Sequence, residues 1–155
     1  MAKQKYSNEV LFRKTELYRN VLLENFSDEF VIDEEDKMLL VHKRSKLPRR
    51  FILYISMHPK VDKLIIGVKS QDKVIKEKIV EVYDNLPLDL KGRMHNAIKY
   101  SCASTEFSFK SIEINEDILK LVRNLITLYK ESFKEFLNWT SLIFILYINI
   151  GEIND

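Results

Sequence analysis

Glycine and proline are scarce in this chain, with three of each among 155 residues. A phosphate-cradling loop needs clustered glycines so that the backbone can approach the anion closely. With only Gly67, Gly92 and Gly151, spread along the chain, P-loop nucleotide hydrolysis and dinucleotide binding of the Rossmann kind are disfavoured. So few turn formers also imply long regular elements joined by short connections. Cysteine is rarer still. Cys102 stands alone, so no internal disulfide can form, and a reducing compartment is the natural expectation. No second cysteine accompanies it, and His42, His58 and His95 lack the four-residue spacing of a zinc-binding helix. No long hydrophobic run occurs either. The most apolar stretch, Leu142 to Ile150, is about half of the ~20 residues that cross a bilayer. The first ten residues, MAKQKYSNEV, carry no apolar core and no cleavage motif, which argues against a secretory signal and for a cytoplasmic protein. A net charge of +2 is too mild to imply a polyanionic partner by itself.

What is present is the profile of a folded chain, 46% hydrophobic and 31% charged, most simply a single globular domain over 1–155. Ser7 and Asn8 are N-cap types, and Val10, Leu11, Leu17, Tyr18, Val21, Leu22 and Phe26 recur at helical spacing, predicting a helix over 8–26. Short β-type runs follow: 30–32, 38–41, 50–56 and 63–70. The polar Asp33-Glu34-Glu35-Asp36 turn, the basic stretch and a turn at Pro59 separate them, which reads as an antiparallel meander. Asp72 can cap a second helix that runs to Pro87. A shorter one is expected from Asp89, with Leu90, Met94, Ala97 and Ile98 on one side and weakened by Gly92. Residues 104–114 alternate as a strand with Phe107 and Phe109 on one face. Ile112 and Ile114 fall on the opposite parity, which suggests a bulge. Asn115 then caps the most regular helix, expected over 116–138. The fold class is therefore α+β: a mainly antiparallel sheet of four to six strands, helices on one face, and long N- and C-terminal helices.

Three features invite a functional reading. The stretch His42–Arg50 carries Lys43, Arg44, Lys46, Arg49 and Arg50, each able to neutralise a phosphate. The bland alternative is a solvated connection whose charges guard a sheet edge. Phe51 and Tyr54 are the nearby aromatics, and strand alternation turns at least one of them inward. The acidic counterpart comprises Asp28, Glu29, Asp33, Glu34, Glu35 and Asp36. It gives a charge-separated surface suited to steering a protein partner, but lacks the glycine and the oxygen-ligand alternation of a calcium loop. The apolar tail, 139–155, reads as a final strand buried on the sheet or as a docking segment. In the second case Trp139, Leu142, Phe144, Leu146 and Ile148 form the contact set, and a homodimer through edge pairing or a symmetric patch follows naturally.

Enzymatic readings are thin. Glu35-Asp36-Lys37 and Asp89-Leu90-Lys91 have the spacing of a metal-dependent nuclease pair, at a frequency that composition alone yields. Cys102 next to a helix-to-strand junction fits a buried thiol better than a nucleophile. No catalytic residue, metal ligand or cofactor is assigned. The expectation is a non-enzymatic protein-binding module, an adaptor, inhibitor or accessory subunit of a bacterial or phage-type cytoplasmic system. The alternative is a nucleic-acid-binding accessory domain using 43–50, and behind it a metal-dependent nuclease using Glu35 and Lys37.

Overall fold

The computed structural model describes residues 9–33, 40–43, 51–58, 60–70, 72–94, 99–100, 104–110 and 113–154. It has the α+β architecture that the pattern predicts. Helix α1 (Glu9–Phe26) leads into strands β1 (Phe30–Ile32), β2 (Leu40–His42), β3 (Ile52–Met57) and β4 (Lys63–Lys69). Helices α2 (Lys73–Asp84) and α3 (Leu88–Gly92), strands β5 (Lys99–Tyr100) and β6 (Ser104–Lys110), and helix α4 (Glu116–Asn154) complete it. Among the described residues the sheet has six strands in the order β1-β2-β3-β4-β6-β5, and every neighbouring pair is antiparallel.

Period-two alternation decides which sheet face is buried. Leu53, Ile55 and Met57 of β3 lie opposite Val68, Ile66 and Leu64 of β4, and Phe107 and Phe109 of β6 pair with Ile66 and Leu64. All of them are fully buried. They form one core with Leu11, Tyr18 and Leu22 of α1, Ile75 and Ile79 of α2, and Ile118, Val122, Leu125 and Tyr129 of α4. Aromatic edges fasten α4 to the sheet: Tyr129 lies 4.6 Å from His42 and 5.2 Å from Phe51, centroid to centroid.

Caps set two of the helix starts, as expected. The Asp72 side chain accepts from the Val74 and Ile75 amides, and the Asn115 side chain accepts from Ile118 at 3.1 Å. In α1 the buried stripe is Leu11, Thr15, Tyr18, Leu22 and Phe26, while Val10 and Leu17 face outward. Thr15 sits on the buried side because its hydroxyl donates to the Leu11 carbonyl at 2.9 Å, which satisfies it without water. The helix expected from Asp89 is a five-residue turn that begins after Pro87 and ends at Gly92, with Met94 already bridged to Phe109. Ala97 and Ile98 lie outside the described residues.

The tail departs most from expectation. Residues 139–154 are not a strand on the sheet; they continue α4, which runs for 39 residues, about 58 Å at 1.5 Å per residue. Local propensity pulls LIFILYINI toward β structure. An existing helix, however, extends at one hydrogen bond per residue with no new nucleus, while a lone strand needs an open edge to pair with. Isoleucine costs only a few tenths of a kcal/mol more than leucine in a helix, on the order of 0.3.

Candidate functional site

Helix α4 divides into two parts with different surroundings. From Ile118 to Tyr129 its apolar side chains are buried against the sheet and α2. From Trp139 to Ile150 every large apolar side chain is solvent-accessible, with relative exposures between 41% and 76%. The sequence from Phe136 to Gly151 contains no charged residue, so no charge shields this surface. Monomeric proteins rarely leave so contiguous an apolar surface in water.

Helical geometry rearranges the predicted docking set. On a strand the even-numbered members of the set Trp139, Leu142, Phe144, Leu146 and Ile148 would share a face. At 100° per residue, Trp139, Leu142 and Leu146 fall on one side and Phe144 and Ile148 on the opposite side. The residues that join the first side are Ile143 and Ile150, neither of which belongs to the predicted set. With Trp139 and Leu146 they occupy an arc of about 60°. Helical periodicity carried past residue 138 would have found them.

The basic stretch is only partly within view. Lys43 is described; Arg44, Lys46, Arg49 and Arg50 lie outside the described residues, as do Glu34, Glu35, Asp36 and Lys37. The Lys43 ammonium donates to the Ser27 carbonyl at 2.6 Å, and its amide donates to the Glu29 carbonyl at 2.7 Å. Lys43 thus ties the end of β2 to the turn after α1. Neither neighbouring aromatic is presented for stacking. Phe51 packs in the core, and Tyr54 lies over Gly67 with its hydroxyl donating to Glu106 at 2.9 Å. Asp89 and Lys91 sit on α3 rather than on a strand, and Lys91 donates to the Asp84 carbonyl. Cys102 and His95 lie outside the described residues. The His58 ring nitrogen accepts the amides of Lys60 and Val61 within its own turn.

Sequence reasoning missed one polar cluster. Leu40 and His42 share the core-facing parity of β2, and the His42 side chain is wholly buried. Its Nε2 lies 2.9 Å from Glu29 Oε2, and Lys130 of α4 donates to Glu29 Oε1 at 2.6 Å. Burial pushes the Glu29 carboxyl up, but the hydrogen bonds from Lys130 and His42 outweigh it and hold the pKa below its ordinary value. The acidic group therefore contributes one residue to an internal clamp between the turn after α1, β2 and α4. The parity of His42 with Leu40 was the available signal.

A second polar group lies where α1 meets the chain leading into α4. A groove of about 520 Å³ is lined by Arg13, Lys14, Leu17, Tyr18, Val21, Glu113 and Ile114. Lys14 is ion-paired with Asp62. Burial lowers the Lys14 pKa, and the hydrogen bond to Asp62 together with the neighbouring Tyr18 raises it by more, so the net shift is upward. Burial raises that of Tyr18. The cluster anchors the β3–β4 turn to α1. Among the described residues no group of three His, Cys, Asp or Glu side chains is placed to hold a metal ion. No helix among them is long and apolar enough to cross a membrane.

In comparisons with family models, curated proteins and solved structures, nothing matches this chain.

Proposed function

We propose that the protein is a non-enzymatic protein-binding module of a cytoplasmic system, an adaptor, inhibitor or accessory subunit, that engages its partner through the exposed end of α4. One observation carries this reading: large apolar side chains from Trp139 to Ile150 are held on a rigid helix and left in water. Water gains entropy when such a surface is covered, at about 25 cal/mol per Å², so a complementary apolar groove is the expected complement. The helix-in-groove mode suits it, because the helix is already formed and its backbone need not be ordered on binding.

The test is comparative purification of the full chain from its own cells. The wild type is expected to bring down a stoichiometric protein partner, and a Phe144→Ser/Ile148→Ser variant to lose it while keeping the wild-type melting temperature. Recovery of the protein with no partner, or with one that the variant retains, contradicts the reading.

A further inference from the structure

The apolar seam that docks α4 on the sheet is interrupted at Ser132 and recurs beyond the sheet. Ile118, Val122, Leu125 and Tyr129 are spaced four, three and four residues apart and are buried. Trp139, Ile143, Leu146 and Ile150 repeat that spacing, displaced by three heptads, and are 62%, 49%, 53% and 58% exposed. In heptad terms Ile143 and Ile150 occupy a, and Trp139 and Leu146 occupy d. β-branched residues at a with leucine at d favour two parallel strands.

We infer that the seam Trp139–Ile143–Leu146–Ile150 pairs with the same seam of a second copy of this chain, forming a parallel two-helix dimer. The inference rests on the reading of the α4 end as a docking surface, and it names one occupant of that surface. Three observations select a second copy. The positions flanking the seam, Thr140, Leu142, Tyr147 and Asn149, are uncharged. Identical helices therefore meet without like-charge repulsion, and no charge pattern specifies a different helix. The area is of the right order. The seam with Leu142 and Tyr147 leaves roughly 500–900 Å² accessible per chain, taking about 150–250 Å² for a fully exposed large side chain, against about 800 Å² per partner in a standard interface. Finally, the uncharged stretch from Phe136 to Gly151 is about 24 Å long, short of the ~30 Å of a bilayer core. Phe144 and Ile148 lie on the far side of the helix, so self-pairing leaves them available to a different protein.

Sedimentation equilibrium of the full chain reads the outcome directly. The wild type is expected to move from 18.5 kDa to twice that mass as its concentration rises. Ile143→Lys/Leu146→Lys should weaken this association at least about 100-fold, because two central apolar anchors per chain are replaced by charge. Phe144→Ser/Ile148→Ser should leave it unchanged. With Cys102→Ser, Leu146→Cys should form an interchain disulfide on mild oxidation, as facing d positions in a parallel pair allow. A wild type that stays monomeric, a dimer indifferent to the lysines, or a dimer that Leu146→Cys cannot cross-link each overturns the inference. So does binding to phosphatidylcholine–phosphatidylglycerol vesicles in place of self-association. A monomeric wild type that still loses a stoichiometric partner through Phe144→Ser/Ile148→Ser overturns self-pairing alone. A monomer with no such partner overturns the docking reading as well.

Discussion

Gly67→Val is expected to cost about 3 kcal/mol of folding stability, and Gly67→Ala about 1–2, the range for forcing extra atoms into a packed site. Gly67 faces Tyr54 across the β3–β4 ladder. The Tyr54 ring lies flat over the missing side chain, so a Cβ there would sit 2.2 Å from Tyr54 Cζ and 2.4 Å from its hydroxyl. No contact that short survives, and the ring must leave. Tyr54 is only 5% exposed, its hydroxyl donates to Glu106, and the Lys69 ammonium lies 5.5 Å from its ring centre. Displacing the ring gives up these contacts together. Strand glycines often mark such a close approach, and an aromatic from the next strand restores the covered area that the glycine lacks. Chemical denaturation of Gly67→Ala, Tyr54→Ala and the double variant checks it. The double variant should recover part of the loss, because the clash disappears with the ring. Strict additivity of the two single losses contradicts the account.

Leu125→Ala and Leu146→Ala should part company just as widely. Both leucines occupy the same seam position of one helix, three heptads apart. Leu125 is 0% exposed and Leu146 53%. Removing the first leaves a cavity under the sheet, with an expected loss of about 2–5 kcal/mol. Removing the second from the dilute protein should change stability by less than about 0.5 kcal/mol, as for an exposed position, while weakening whatever covers the helix. Thermal melts at micromolar and at much lower concentration separate the two effects. A Leu146→Ala loss as large as that of Leu125→Ala, and independent of concentration, would mean that the end of α4 packs on its own body.

Much of this arrangement was legible in the residues. Asp72 and Asn115 announced their helices because cap chemistry is local. The strands at 52–57 and 63–69 and the pair Phe107 and Phe109 were readable because a sheet with one buried face imposes strict alternation. Other features were not. In α1, Val10-Leu17-Val21 and Leu11-Tyr18-Leu22 are two adjacent stripes of equal apolarity, and only tertiary packing chooses between them. β5 is two residues long, too short to carry a period. Most instructive is the tail. β-branched residues made LIFILYINI look like a strand, and on the helix the docking set divides between two faces. The helix that precedes it overrides local propensity, and the heptad seam becomes visible only in helical register. His42 escaped notice for a different reason: a buried imidazole depends on Glu29, and that partner lies thirteen residues away across a hairpin.

Trp139 is the sole tryptophan of the chain and stands at the start of the exposed seam. Its fluorescence therefore reports on the surface in question with no label. Emission and acrylamide quenching, followed from high dilution upward and then with the purified partner, are the most direct measurement of the central claim. At high dilution the indole is expected to emit at the long wavelength of a hydrated ring and to be fully quenchable. As a second copy or another protein covers α4, the emission should shift to the blue and quenching should fall. An indole that is blue-shifted and protected in a dilute monomer would contradict the account, because the end of α4 would then be buried within its own chain.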